Sequence, residues 1–197
     1  MINPQFAEYG NDFGGTVACS KRMAKATVRN NIHDCDDAVK NMWIGDSWFA
    51  SVKTAVEIAP FGNFIGIVKT AHSFYPKKWI ENKMKDWPAG SNLVLEAKKD
   101  GVDLVAIGYK YNNKKVICFI ATKSNGHTEP GIPYKARWKD ENDTIMYRYV
   151  ERPDIVARYF LFSNVIDIGN QSRQSDLKLE KHWITSDGYL RNITVLF

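Results

Sequence analysis

The sequence predicts an α/β fold, and three features carry this prediction. Between residues 42 and 68, a short apolar run, an acid, a helical pattern and a second apolar run follow one another. From residue 91 the hydrophobic pattern changes from a helical period to strict alternation, which indicates antiparallel strands. At residue 152 a helical pattern returns with a proline in its first turn, where the missing N–H costs nothing.

The composition is that of a globular chain. Of its 197 residues, 44% are hydrophobic and 13% aromatic, which is enough for one sizeable domain or two small ones. The net charge of +5 suits a polyanionic partner but does not require one. Cys19, Cys35 and Cys118 lie apart without a CxxC pair, which argues against a structural zinc and for a reducing compartment. No apolar stretch approaches the roughly 20 residues of a bilayer span, so we expect a soluble, intracellular protein.

The first 40 residues show weak patterning. Residues 1–15 are rich in Pro, Gly and Asn and predict a loop, and residues 16–30 predict a strand followed by an irregular segment. The cluster at residues 33–37, His-Asp-Cys-Asp-Asp, resembles a metal site, but no second ligand cluster lies at a useful spacing. We favour a solvated acidic loop or a helix start with an aspartate N-cap there.

The best-defined unit is a strand, an acid, a helix and a strand in succession. Residues 42–44 predict a short strand that leads to Asp46. Apolar residues recur at helical spacing over residues 50–59, and β-branched residues at 64–68 predict a second strand. A βαβ unit places its two strands parallel in one sheet. Asp46 is therefore expected at the carboxyl end of a buried strand, where a fold can hold a charge in a fixed position.

A basic helical segment is predicted around residues 77–84. Lysines at positions 77, 78, 83 and 85 are interleaved with Trp79 and Trp87. Two interpretations stay open, because such residues either follow a phosphate backbone or form the solvated face of an amphipathic helix.

Residues 91–150 predict a β-rich block. Three alternating runs separated by hairpin turns predict an antiparallel meander, and two more runs follow a Pro-Gly break: residues 93–97, 102–107, 115–121, 133–138 and 144–149. The outward Lys and Arg side chains of this block, Lys135 and Arg137 among them, either contact a partner or keep the surface hydrated.

A helix is predicted again after Pro153. Along it, Asp167, Asn170, Gln171 and Gln174 follow the spacing i, i+3, i+4, i+7, which places them on one polar stripe. Taken without context, this stripe indicates the solvent-exposed face of a helix.

The order of these parts resembles the DDE transposase core of the piggyBac family. The resemblance extends from about residue 16 to the end of the chain. The residues that carry it are Gly45-Asp46-Ser47-Trp48-Phe49-Ala50-Ser51, Gly66-Ile67-Val68-Lys69-Thr70-Ala71-His72, Gly108-Tyr109-Lys110-Tyr111, Arg152-Pro153, Asp167-Ile168-Gly169-Asn170-Gln171-Ser172-Arg173-Gln174 and Leu179-Glu180-Lys181.

The resemblance implies an RNase H-like core with an antiparallel β insert between its second and third catalytic acids. By position, Asp46 looks like the second acid and Asp167 like the third, while Asn170 stands where well-characterised members carry a further acid. Residues 1–90 and 151–197 would then be parts of the core, and residues 91–150 the insert.

The resemblance also implies Mg²⁺-dependent cleavage and transfer of DNA strands. Asp46, Asp167 and Asn170 are the implied metal ligands, because a two-metal site needs several hard oxygen ligands. DNA is the implied partner, a second copy of the chain is a further candidate partner, and the nucleus is the implied location.

One expected acid has no counterpart in this sequence. The first acid of the family should end a buried strand well upstream of Asp46, and the aspartates there, Asp12, Asp34, Asp36 and Asp37, do not fit that position. The family's Cys-rich C-terminal module is also missing. We therefore expect a truncated core that neither cleaves nor joins DNA, with an exposed sheet edge that favours association.

Two other interpretations stay open. One is a noncatalytic DNA-binding or protein-interaction protein derived from such an element, which would use residues 77–85 and the Lys135 to Arg137 stretch. The other is an α/β domain unrelated to transposases. The separation of the Asp46 and Asp167 carboxylates distinguishes them, since a remnant of the metal site would hold both in one cleft.

Overall fold

The structure is a computed structural model that describes residues 14–30, 42–123, 129–139 and 141–171. The helices are α1 (Gly15–Asn30), α2 (Val52–Ile58), α3 (Lys77–Lys83) and α4 (Asp154–Gln171). The strands are β1 (Met42–Gly45), β2 (Asn63–Ile67), β3 (Asn92–Lys99), β4 (Val102–Asn112), β5 (Lys115–Thr122), β6 (Tyr134–Lys139) and β7 (Ile145–Val150). The chain divides into two compact units, Met1–Tyr159 and Phe160–Phe197, and all the strands belong to the first.

A five-stranded mixed sheet organises the first unit. Its order is β1-β2-β5-β4-β3, with β1 and β2 parallel and every other pair antiparallel. The α/β prediction is therefore confirmed, and so is the parallel pairing of the strands on either side of α2. Among the described strands, β1 pairs with β2 alone and forms an edge.

The β-rich block is divided between two sheets. Strands β3, β4 and β5 form the predicted meander, but β5 also pairs with β2, through Ile65 opposite Ala121. The meander thus continues the sheet that contains β1 and β2, and β5 pairs the backbone groups of β2 on the side away from β1. Of the strands in the described ranges, β6 and β7 alone form a separate sheet. The division at residues 90 and 150 stays a prediction.

The segment from Gly15 to Asn30 is a helix, so the predicted strand at residues 16–30 is wrong. Its composition explains the difference, since Ala, Lys, Arg and Met all favour helix over strand. Val17, Ala18 and Ala24 are buried, and Lys21 Nζ lies 2.7 Å from Glu57 Oε2 on α2. Burial of small side chains and an ion pair therefore hold α1 against α2.

The sheet buries both of its faces. One face packs against α2 and α3 in a core that includes Phe64, Ile80, Met84 and Ile120. The other face meets the start of α4, where the rings of Phe119 and Tyr159 lie 5.3 Å apart, edge to face. Burial on both faces explains why β4 and β5 have nearly continuous apolar runs.

Helix α3 is attached to β4 by two residues of the motif at 108–111. A Cβ at Gly108 would lie 2.4 Å from Ile80 Cγ2, so only glycine allows α3 to lie this close. Lys110 is 2% exposed, and its Nζ donates to Met84 O at 3.0 Å and Lys85 O at 2.6 Å, just beyond the last turn of α3. The ammonium thus binds carbonyls at the negative end of the helix dipole.

Within the described ranges, no helix combines the length and the apolar character that crossing a bilayer requires.

Candidate functional site at the carboxyl end of the parallel strands

Asp46 lies directly after β1, as predicted, but β1 is an edge strand whose first three residues are only partly buried, so the expectation of a buried strand was wrong. Its side chain is exposed, and its Oδ1 accepts hydrogen bonds from the backbone N–H groups of Trp48 at 2.8 Å and Phe49 at 3.4 Å. Its own carbonyl accepts from Ala50 N at 3.0 Å. Asp46 therefore organises the turn that leads from β1 toward α2, and this turn fixes the direction of its carboxyl group.

Small residues hold this turn against the sheet. Gly45 and Gly66 are paired across the parallel strands, and the ring of Phe64 lies over both. A Cβ at Gly66 would lie only 2.6 Å from the Cβ of Ala50, which is itself buried. The Gly45-Asp46 and Gly66 parts of the motif thus have a packing role, because they let the turn lie directly on the sheet.

Helix α2 begins immediately after this turn. The hydroxyl of Ser51 accepts a hydrogen bond from Thr54 N at 3.0 Å, which is an N-cap. The sequence Asp46 to Ser51 therefore contains a strand end, a turn and a helix start in succession. A carboxylate there is held rigidly and is open to solvent, next to a Trp48 side chain that is 74% exposed.

The segment after β2 leaves the sheet at the same edge as Asp46. Lys69 and Thr70 are exposed there, and Thr70 Oγ1 lies 3.2 Å from His72 Nε2. The sequence reasoning did not treat these residues as site residues. The rule that parallel strands end at one edge would have found them, since the parallel pairing was predicted.

Asp167 and Asn170 both lie on helix α4, as predicted from the polar stripe. Their side chains fall outside the described part of the chain, so the predicted cleft with Asp46 stays a prediction. The cluster at residues 33–37 and Asp12 also lie outside the described ranges. Among described residues, no three or more His, Cys, Asp or Glu side chains come together as a metal site would need. The described part therefore supplies Asp46 alone of the predicted ligands.

The first seven residues of the basic segment at 77–85 form the amphipathic helix α3 (Lys77–Lys83). Ile80 is fully buried, whereas Trp79 is 52% exposed and Lys78 and Lys83 are exposed. Lys77 forms an ion pair with Glu81 one turn later. The amphipathic character is thus confirmed, and contact with a phosphate backbone stays a prediction for the outer lysines.

The Cys118 thiol lies in the core against the sheet, in surroundings that do not suit a nucleophile. It is 1% exposed, and burial together with the Glu81 carboxylate raises the pKa of this thiol to about 11. Burial likewise raises the pKa of the Tyr75 hydroxyl, which donates to Phe119 O at 2.9 Å.

We expect Cys118 to resist alkylation in the folded protein at pH 8, because only the thiolate reacts and burial disfavours it. Because its folded pKa is above the ordinary value of 9.0, the stability contribution of the neutral thiol is complete below pH 9 and is lost as pH rises through about 11. Peptide mass spectrometry after iodoacetamide treatment measures this, with the more exposed Cys19 as the comparison. Equal labelling of both cysteines in folded protein would contradict the burial of Cys118.

Comparison of the chain with models of protein families, with curated proteins and with solved structures finds no match. The function therefore has to be argued from the residues and their geometry.

Proposed function

We propose that the chain is a piggyBac-like DDE transposase core that is inactive as a nuclease and retains DNA as its partner. The observation that carries this proposal is the parallel β1-α2-β2 unit with Asp46 at the carboxyl end of β1. Asp46 is exposed, and the turn that holds it packs through Ala50 against Gly66, where a Cβ would lie only 2.6 Å from the Ala50 Cβ. The RNase H-like core, the β insert and the nuclear location belong to the same proposal.

In this proposal Asp46, Asp167 and Asn170 would hold Mg²⁺. Oxygen ligands suit this ion, and when bound it stabilises charge on a phosphodiester. Asn170 contributes an oxygen but no charge, so the three residues supply two negative charges against two dications. Strand cleavage is therefore not expected from the chain.

A noncatalytic DNA-binding protein derived from a transposable element is the second candidate. The exposed lysines of α3 and the basic β6–β7 hairpin favour it, because neither surface requires the carboxylates. A dimer formed along the exposed edge of β1 would be compatible with either candidate.

A plasmid-nicking assay with a duplex-binding assay tests the proposal. We expect no nicking of supercoiled plasmid above background with Mg²⁺ or Mn²⁺, and duplex binding that weakens steeply as salt rises. The key variant is Asp46→Asn, because the amide oxygen can still accept from Trp48 N and keep the turn. Asp103→Asn, at another exposed aspartate, controls for the change of charge.

Two results would contradict the proposal. Metal-dependent nicking that Asp46→Asn abolishes and Asp103→Asn preserves would show a working catalytic site. Absence of duplex binding even at low salt would remove DNA as the partner.

A further inference from the structure

The β6–β7 hairpin is a two-stranded ribbon that exposes both aromatic and basic side chains. Five of the six β7 residues are exposed, and Tyr147 and Tyr149 are 51% and 73% exposed. A two-stranded ribbon buries little apolar surface by itself, so exposed large side chains on it indicate a binding surface.

The two ends of the ribbon are joined to each other at its base. Pro130 and Pro153 form an isolated antiparallel bridge, and Arg152 Nε donates to Ile132 O at 3.0 Å. The Arg152 guanidinium also lies 5.6 Å from the Tyr134 ring centroid. These contacts close the base of the ribbon directly before the start of α4, and the two paired strands extend from there.

One face of the ribbon combines cations with tyrosines. Lys135 pairs with Tyr149 across the strands, and Arg137 pairs with Tyr147, so all four side chains belong to the same face. Lys135 and Arg137 are exposed, and Lys135 Nζ lies 4.4 Å from the Tyr147 ring centroid. We call these four residues the tyrosine–cation face. Its two pairs contain no acid, and the three acids of the connecting sequence, at positions 140, 141 and 143, come after β6 and before β7.

We propose that the tyrosine–cation face binds single-stranded DNA. The cations suit phosphates, and the aromatic rings offer flat surfaces on which unpaired bases stack. Tyr147 and Tyr149 are two residues apart on one strand, which spaces them by about 6.8 Å. Successive bases in a duplex are only about 3.4 Å apart. Two neighbouring bases that stack on the two tyrosines must therefore separate from each other, and base pairing in a duplex opposes that separation. This inference rests on the proposed function, which names DNA as the partner. It adds that the ribbon binds the single-stranded form.

Fluorescence anisotropy with labelled oligothymidylate about 15 nucleotides long tests the proposal, beside the matching oligouridylate and a duplex of the same length. We expect the single strands to bind more tightly than the duplex, and the two single-strand arms distinguish DNA from RNA. Tyr149→Leu should weaken single-strand binding about tenfold. It should not weaken binding of an oligonucleotide of equal length made of abasic residues, because no base is present to stack.

Tyr111→Leu is the matched control, because this exposed tyrosine on β4 also has a lysine, Lys115, 6.0 Å from its ring centroid. It should leave binding unchanged. Lys135→Gln and Arg137→Gln should each reduce the slope of log affinity against log salt by about 0.7 if each residue contacts one phosphate.

The contrary outcomes distinguish failure of this proposal from failure of the proposed function. Duplex binding that matches or exceeds single-strand binding, or single-strand binding that Tyr149→Leu leaves intact, overturns the tyrosine–cation face alone. Failure to bind any of the probes overturns both. A concentration-dependent dimer that Tyr149→Leu disrupts, without an effect on oligonucleotide binding, overturns the proposal and makes the face an interface between copies.

Discussion

Replacement of Lys110 by methionine is expected to lower the free energy of unfolding by about 3 kcal/mol. The side chain is 2% exposed and its ammonium donates to two carbonyls just beyond α3. Methionine fills a similar volume but donates nothing. Met84 O keeps a hydrogen bond from Trp87 N, so the main loss falls on Lys85 O and on the charge at the helix end. Urea denaturation followed by circular dichroism measures the change.

Lys114→Met is the control for loss of a lysine charge. Lys114 is exposed in the turn between β4 and β5, so its replacement should change the unfolding free energy by less than about 0.5 kcal/mol. If Lys110→Met proved as stable as the control, the ammonium would not be what holds α3 on β4.

Gly66→Ala is the second substitution with a large expected effect, again a loss of about 3 kcal/mol. The added Cβ would lie 2.6 Å from Ala50 Cβ and 3.0 Å from the Phe64 ring. A Cβ cannot rotate away, so the turn that contains Asp46 must move from the sheet. Thermal and urea denaturation both measure this loss of stability. The backbone amide proton of Trp48 should also exchange faster with solvent.

Removal of the opposing methyl tests the cause of this loss. In the double variant Gly66→Ala with Ala50→Gly, part of the lost stability should return, which a double-mutant cycle detects as favourable coupling. Gly15→Ala serves as the control, because no atom lies within 4 Å of the added methyl and alanine favours helix α1. If the changes in unfolding free energy of the two single variants simply add in the double variant, contact between positions 50 and 66 is not the cause of the loss.

Patterns of neighbouring residues predicted most of the sheet but not its assembly. The βαβ unit, α3 and the meander followed from apolar periodicity, which depends on burial of each element by itself. The pairing of β2 with β5 did not follow, because it depends on which edges meet across some 50 residues of chain. Helix α1 was not predicted, although the Ala, Lys, Arg and Met residues of this segment all favour helix over strand.

The candidate site was predicted in part. Asp46 lies at the expected strand end, since a parallel pair fixes which end its loops share. The sequence does not predict the burial of Lys110, because lysine is ordinarily a surface residue and its two carbonyl acceptors come from a distant segment of the chain. The tyrosine–cation face depends on the exact register of β6 and β7, and a shift of one residue would place the tyrosines and cations on opposite faces.

The pairing of β2 with β5 has a consequence for synthesis of the chain. Strands β1 and β2 are synthesised before β5, so the backbone groups of β2 that pair with β5 stay unpaired while some 50 residues are added. Pairing within the meander joins strands that are neighbours in sequence and so closes only short loops. Pairing of Ile65 with Ala121 closes a much longer loop. We therefore expect the meander to form first and β2 to join it last, which makes this junction the step at which a nascent chain is most exposed to aggregation.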